Sequence, residues 1–145
     1  MKIPTATLAS IVLAASVQGQ TPKLITSCES VSSLALANTT ITSAHDVAVG
    51  KLADVGVFPA PPDSPIGRRI SKLPAFCRVA ATLAPTPDSD IKIEVWLPAS
   101  GWNGKLLAVG NGGWAGSINY NGMTAALENG YATTSTDTGH TGGNA

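Results

Sequence analysis

The stretch KLLAVGNGGWAGSINYNGMTAALENGYATTST, residues 105–136, decides the fold. It opens with a continuous apolar run, as a strand buried on both faces would. After a glycine cluster, Met123, Ala126 and Leu127 recur at helical spacing, and Gly130 is a residue type that ends helices. The segment YATTST is rich in strand-forming residues. A strand, a helix and a second strand in this order predict a crossover between two parallel strands.

Two segments just upstream predict an antiparallel hairpin. FCRVAATLAP alternates apolar and more polar positions, and the turn segment PTPDSD follows it. In IKIEVWLP the alternation places one set of side chains on each face: Ile91, Ile93, Val95 and Leu97 on one, Lys92, Glu94 and Trp96 on the other. A hairpin that feeds a parallel crossover indicates a mixed α/β sheet. Residues 20–50 show no clean period, and APPDSP (residues 60–65) predicts a loop.

Charge and composition exclude some classes of partner. Nine Lys and Arg balance nine Asp and Glu, and charged residues make up 12% of the chain. The sequence contains no basic stripe that could neutralise phosphates, so we expect no nucleic-acid partner. Nothing in the sequence indicates binding to a membrane surface.

The N-terminus predicts a secreted protein. Residues 1–19 combine a basic start, an apolar core and small residues before a cleavage site, as in a signal peptide, although a buried helix is the alternative. Residues 20–145 would then form the mature chain. Its two cysteines, Cys28 and Cys77, survive cleavage and predict a disulfide, with two buried thiols as the alternative. Asn38-Thr39-Thr40 is an N-glycosylation sequon in a secreted chain.

The glycine loop GNGGWAG, residues 110–116, has three interpretations. It fits a dinucleotide-binding fingerprint, G-x-G-x-x-A, with Asp137 beyond the next strand. It also fits an oxyanion loop, in which a backbone N–H from the loop after a hydrolase's third strand holds the reacting oxygen. The third interpretation is a tight strand-to-helix connection without chemistry. Trp114 lies inside the loop and is the tryptophan we expect to face a substrate, whereas Trp96 and Trp102 are expected at core edges.

Three segments together carry a family resemblance: LPAFCRVAATLAP, IKIEVWLPASGWNGKLLAVGNGGWAG and ALENGYATTSTDTGH. They resemble the fungal tannase and feruloyl esterase family of secreted carboxylic ester hydrolases. The resemblance implies an α/β-hydrolase core with a separate lid that holds calcium, a Ser-Asp-His triad and several disulfides, the first two family cysteines matching Cys28 and Cys77. It also implies a small aromatic ester as substrate, free or attached to plant cell-wall polysaccharide or tannin.

The nucleophile motif of that family is absent from this sequence. No G-x-S-x-G occurs, and the nearest segment, around Ser117, lacks both outer glycines. We therefore expect an N-terminal part of the hydrolase domain, truncated before the nucleophile elbow and inactive alone, with no cofactor and no catalytic triad of its own. In the complete protein we expect Gly112 or Gly113 to supply one oxyanion N–H. His140 precedes the expected serine, which excludes it as the triad base in the usual order of an α/β-hydrolase. The main alternative is a secreted, non-catalytic binding module that uses exposed tryptophans.

Overall fold

One mixed sheet organises the computed structural model, which describes residues 27–55, 60–113 and 115–142. The predicted signal peptide lies outside these residues. The strands are β1 (Thr39–Val47), β2 (Phe76–Leu83), β3 (Ile91–Pro98), β4 (Leu106–Ala108) and β5 (Ala132–Thr136). The α-helices are α1 (Pro65–Ile70) and α2 (Tyr120–Glu128), and short 3-10 turns cover Glu29–Ser33 and Leu52–Val55.

The sheet has the strand order β1-β2-β3-β5-β4. Neighbouring strands are antiparallel except for β4 and β5, which are parallel. The β2–β3 hairpin places Leu83 opposite Ile91, and in the parallel pair Ala108 lies opposite Thr134. Both the predicted hairpin and the predicted crossover are confirmed, and the chain is an α/β fold with a mixed sheet.

Helix α2 makes the crossover between the two parallel strands. Its N-cap is Asn119, whose side chain accepts a hydrogen bond from the backbone N–H of Gly122. The residues predicted from helical spacing, Met123, Ala126 and Leu127, are buried on its inner face. The helix ends where Gly130 takes a φ of 74°, as its sequence predicted.

Two elements have no counterpart among the sequence predictions. Strand β1 was hidden because a bulge between Ile41 and Ser43 breaks the two-residue alternation of a regular strand. Helix α1 begins inside the predicted 60–65 loop, where the Ser64 side chain accepts from Gly67 N–H and Pro65 occupies the first turn. A serine followed by proline is the signal that could have revealed this helix. Because β1 precedes the hairpin, the strand before the glycine loop is the fourth in the described part of the chain.

The prediction that β4 is buried on both faces is wrong. All three of its residues are exposed, with Leu106 at 61% and Leu107 at 42%. The reason is its position: β4 is the last strand in the sheet order, and among the described residues it pairs with β5 alone. An apolar run predicts burial only when another layer or strand covers it.

The side chains of β3 alternate between two faces as predicted, but the face that carries Glu94 and Trp96 is the more buried one. Glu94 and Trp96, on the face that looked polar, are buried, whereas Ile91, Ile93 and Val95 are only partly covered. Trp96 is fully buried in the core, where its ring centroid lies 4.7 Å from that of Phe76, and it does not cap a core edge. The charge on this face is tolerated because Glu94 has partners there, described below.

The predicted disulfide is present in the structure. Cys28, just before the first 3-10 turn, is bonded to Cys77 in β2, across a sequence separation of 49 residues. Both cysteines pack with Val31 and Val79 in a small core on the side of the sheet away from Trp96. The bond therefore fastens the segment before β1 to the beginning of β2. Asn38 lies exposed at the entry to β1, with a φ of 52°.

Candidate functional site

Two loops meet at the carboxyl ends of β4 and β5. The glycine loop, residues 110–116, follows β4, and the DTGH loop, residues 137–140, follows β5. Because the two strands are parallel neighbours, their loops leave from the same edge of the sheet. The backbone N–H of Gly116 donates to the Gly142 carbonyl at 2.6 Å. A Cβ on Gly116 would lie 2.2 Å from the carbonyl oxygen of His140, so only glycine fits this approach.

Gly112 and Gly113 form the exposed tip of the glycine loop. Their φ angles are 78° and 54°, which is the left-handed region that other residues avoid. A Cβ at either position would meet no atom within 4 Å. Backbone conformation, and not crowding, is thus what requires glycine here. Among the described residues, neither amide N–H donates a hydrogen bond. Within the described part of the chain, both donors at the tip are therefore unoccupied.

Asn111 holds the glycine loop together and joins it to the DTGH loop. Its side-chain amide donates to the carbonyl oxygen of Ala115 across the loop. The same nitrogen lies 3.4 Å from the hydroxyl of Thr138. That hydroxyl is 3.1 Å from Nδ1 of His140. Polar contacts through Thr138 therefore connect the two loops.

Asp137 shapes the DTGH loop through its side-chain carboxylate. Its side-chain Oδ1 accepts from the backbone N–H of Lys92 at 2.9 Å and from that of Gly139 at 2.8 Å. The residue is 8% exposed, so these bonds satisfy a largely buried carboxylate. Asp137 therefore joins the DTGH loop to β3, and the backbone N–H of His140 lies 3.5 Å from the Asp137 carbonyl oxygen.

A buried polar cluster lies beneath the loops, under the start of α2. The Glu94 carboxylate accepts from the guanidinium of Arg78, from Trp96 Nε1 at 2.8 Å and from the Tyr120 hydroxyl at 2.9 Å. Burial lowers the pKa of Arg78, but the hydrogen bonds and negative charge of Glu94 outweigh it and leave that pKa raised. Burial, followed by the charge of Glu94, raises the pKa of the Tyr120 hydroxyl, which stays protonated as a donor. Sequence reasoning missed this cluster, although Arg78, Glu94 and Trp96 occupy one face of the predicted hairpin.

The remaining candidate side chains separate into exposed and buried ones. Trp102 is 59% exposed, contrary to the expectation that it caps a core edge, and its Nε1 donates to the Lys105 carbonyl. Trp96 is buried and cannot contact a ligand. Trp114 lies outside the described residues. Ser117 is exposed and forms part of no nucleophile motif.

The geometry does not favour dinucleotide or metal binding. A dinucleotide fingerprint opens its helix at the third small residue, so that the pyrophosphate meets the helix N-terminus. Here α2 starts at Tyr120, beyond the loop. Across residues 27–55, 60–113 and 115–142, no cluster of three or more His, Cys, Asp or Glu could hold a metal ion. The calcium that the resemblance places in the lid has no ligand set here. No helix in the same residues is long and apolar enough to cross a bilayer.

A family model, related sequences and solved structures all match this chain to the same family. Residues 77–145 match the family model described as tannase and feruloyl esterase. An uncharacterised esterase from Xanthomonas campestris is 44% identical over 113 residues, which are 78% of this chain and 18% of that protein. A probable feruloyl esterase B-1 from Aspergillus oryzae is 43% identical over 70 residues, 48% of this chain and 13% of that protein.

A solved structure shares the fold. The crystal structure of feruloyl esterase B from Aspergillus oryzae superposes with a TM-score of 0.61 at 32% identity, over 81% of this chain and 22% of that one. The chain thus spans 13–18% of the length of these two curated relatives. The bacterial relative shows that the sequence pattern is not confined to fungi.

Proposed function

Because the chain belongs to the tannase and feruloyl esterase family, we propose that the complete protein is a carboxylic ester hydrolase for feruloyl or galloyl esters. The observation that carries this proposal is the tip of the glycine loop. Gly112 and Gly113 present backbone N–H groups that bond to no other described residue, at the carboxyl edge of the sheet. Sites of open α/β folds assemble at such an edge.

The proposed chemistry is acyl transfer to a serine, which lies with its Asp and His partners beyond residue 145. The histidine takes the serine proton while the serine oxygen attacks the ester carbonyl, and the histidine returns that proton to the leaving alcohol. Water then attacks the acyl-serine by the same route and releases the acid. In both steps negative charge forms on the former carbonyl oxygen. The N–H of Gly112 or Gly113 would donate to that oxyanion, because a prearranged donor needs no reorganisation during the reaction.

Turnover of matched esters by the complete protein tests this function. Methyl ferulate, methyl gallate and an aliphatic ester such as methyl butyrate separate a preference for aromatic acyl groups from general esterase activity. We expect hydrolysis of at least one aromatic ester and covalent labelling of one serine by an aryl phosphonate. A complete protein that hydrolyses none of the three would overturn the proposal.

We also propose that residues 1–145 alone hydrolyse no ester, because an oxyanion donor without a positioned nucleophile does little. Purified chain should match buffer in an assay with an activated aryl ester. Turnover above buffer that Ser117→Ala abolishes would contradict this proposal, since it would locate a nucleophile inside the chain.

The proposed location is extracellular, where ester-linked plant polysaccharide or tannin would supply the substrate. The rival function is a secreted binding module, and the exposed indole of Trp102 is the feature that favours it. The rival predicts retention of the protein on feruloylated polysaccharide that Trp102→Ala abolishes, without release of ferulate. The esterase predicts release of ferulate that survives Trp102→Ala.

A further inference from the structure

Asn119 is the residue at which the sheet, the helix and the glycine loop join. Its backbone N–H donates to Oγ of Ser135 in β5 at 3.0 Å. Its side-chain oxygen caps α2 by accepting from Gly122 N–H at 2.9 Å. Its side-chain nitrogen donates to the carbonyl oxygen of Gly110 at 2.8 Å. One side chain therefore uses its acceptor for the helix and its donor for the loop.

The bond to Gly110 acts where the loop leaves the sheet. The last ladder bond joins Val109 N–H to the Thr134 carbonyl at 2.8 Å, and Gly110 is the next residue. Gly110 is exposed, and a Cβ there would meet no atom within 4 Å, so packing does not fix its peptide plane. The hydrogen bond from Asn119 orients that carbonyl, and with it the direction in which the chain enters the tip.

The backbone of Asn119 is hydrogen-bonded to the sheet. Ser135 is 3% exposed within β5, and its hydroxyl receives the Asn119 backbone N–H. The next residue, Tyr120, donates its hydroxyl to the buried Glu94 carboxylate. Two part-buried hydrogen bonds to the sheet, one from Asn119 and one from Tyr120, thus hold the start of α2, whereas the tip of the glycine loop is exposed.

We propose that Asn119 is the positioning residue of the oxyanion loop: its side-chain amide fixes the Gly110 carbonyl and thereby aims the N–H groups of Gly112 and Gly113. It touches no substrate and acts through the loop alone. This inference rests on the proposed esterase function, because Asn119 can position oxyanion donors only if Gly112 or Gly113 supplies one.

The substitution Asn119→Asp separates the two tasks of this side chain. Aspartate keeps the acceptor that caps α2 and is itself a preferred N-cap. It cannot donate to Gly110, and its second oxygen would repel that carbonyl. In the complete protein we expect kcat to fall roughly tenfold or more while KM changes by less than about threefold, because the lost alignment acts on the transition state. The melting temperature should stay close to that of the parent protein.

Asn121→Asp is the matched control. It places the same new charge in the first turn of α2, on an exposed residue that makes no hydrogen bond with its side chain among the described residues. It should leave kcat unchanged. If Asn119→Asp does not fold, Asn119→Ser provides a second variant, since serine can cap the helix but is too short to reach Gly110.

Hydrogen–deuterium exchange gives a readout that does not depend on catalysis. The amides of Ala115 and Gly116 are bonded within the site, to Gly112 and Gly142. They should exchange faster in Asn119→Asp than in Asn121→Asp. If the parent protein hydrolyses no ester, the proposed function fails and the exchange comparison still decides the role of Asn119. A parental kcat in Asn119→Asp, or equal exchange in the two variants, would overturn the role of Asn119 while leaving the esterase proposal intact.

Discussion

The carboxylate of Glu94 lies against the guanidinium of Arg78 with little access to solvent. The Glu94 side chain is 3% exposed and that of Arg78 is 12% exposed. The two residues sit on neighbouring strands of the hairpin, and Trp96 and Tyr120 complete the hydrogen bonding of the carboxylate. Buried charges persist only when they are paired and hydrogen-bonded. This pair therefore ties the start of α2 to the sheet beneath the glycine loop.

We expect Glu94→Ala to lower the free energy of unfolding by about 3–5 kcal/mol, because it leaves the Arg78 charge buried without its partner. Urea denaturation measures the loss. Lys51→Ala is the control, since the Lys51–Asp54 pair has side chains 61% and 64% exposed, and its loss should cost less than about 1 kcal/mol. Replacing both buried partners, Arg78→Met with Glu94→Leu, should recover part of the stability. Equal losses for Glu94→Ala and Lys51→Ala would contradict this assignment.

The disulfide gives a second stability prediction. Cys28 and Cys77 close a loop of 49 residues, and in the chain-entropy model this stabilises the fold by about 4 kcal/mol. The double variant Cys28→Ser, Cys77→Ser should lose about that amount in urea denaturation. Reduction of a protein that consists of residues 1–145 should have the same effect, because these residues contain two cysteines. Peptide mapping of secreted protein without reduction should recover the linked pair, and two free thiols would refute it.

The sequence predicts the fold well where local patterns are regular. The hairpin alternates, α2 has its apolar spacing and its cap, and the crossover follows from their order. The sequence could not reveal β1, whose bulge at residues 41–43 interrupts the alternation. It also could not reveal that the face of β3 with Glu94 and Trp96 is the more buried one, because the burial of Glu94 depends on Arg78 and Tyr120, which are distant along the chain.

The site was only partly predictable for the same kind of reason. The glycines of the loop predict an unusual backbone conformation. The structure has one there, with φ angles of 78° at Gly112 and 54° at Gly113. The contributions of Asn111 and Asn119 come from single side-chain bonds whose partners are fixed by the tertiary structure. The sequence does not distinguish an asparagine whose side chain holds a loop carbonyl from an asparagine that only forms a turn.

Glycosylation of Asn38 tests the proposed secretion. The residue is exposed, and its side chain makes no hydrogen bond among the described residues. Expressed through a eukaryotic secretory pathway, the protein should carry a glycan that peptide N-glycosidase removes. In the peptide that contains Asn38-Thr39-Thr40, Thr40→Ala should abolish the mass of the glycan and Thr40→Ser should retain it. Secreted protein without a glycan at Asn38 would contradict the prediction.

The tip of the glycine loop gives the most direct test of catalysis. A β-branched residue is strained at positive φ, so Gly112→Val or Gly113→Val in the complete protein should force the tip to change conformation. Each variant keeps its backbone N–H but aims it elsewhere. Loss of one oxyanion donor typically costs about 3 kcal/mol of transition-state stabilisation, and kcat should fall roughly a hundredfold in at least one of the two variants.

Gly104→Val controls for strain alone. Gly104 has a φ of 81° and open space around its would-be Cβ, but it precedes β4 and so lies at the opposite end of that strand from the glycine loop. It should lose stability comparable to that of the loop variants and retain kcat. Thermal unfolding and steady-state kinetics on the three proteins separate the two effects. If both loop variants keep the parental kcat, the glycines serve a tight turn and the oxyanion donor must lie elsewhere.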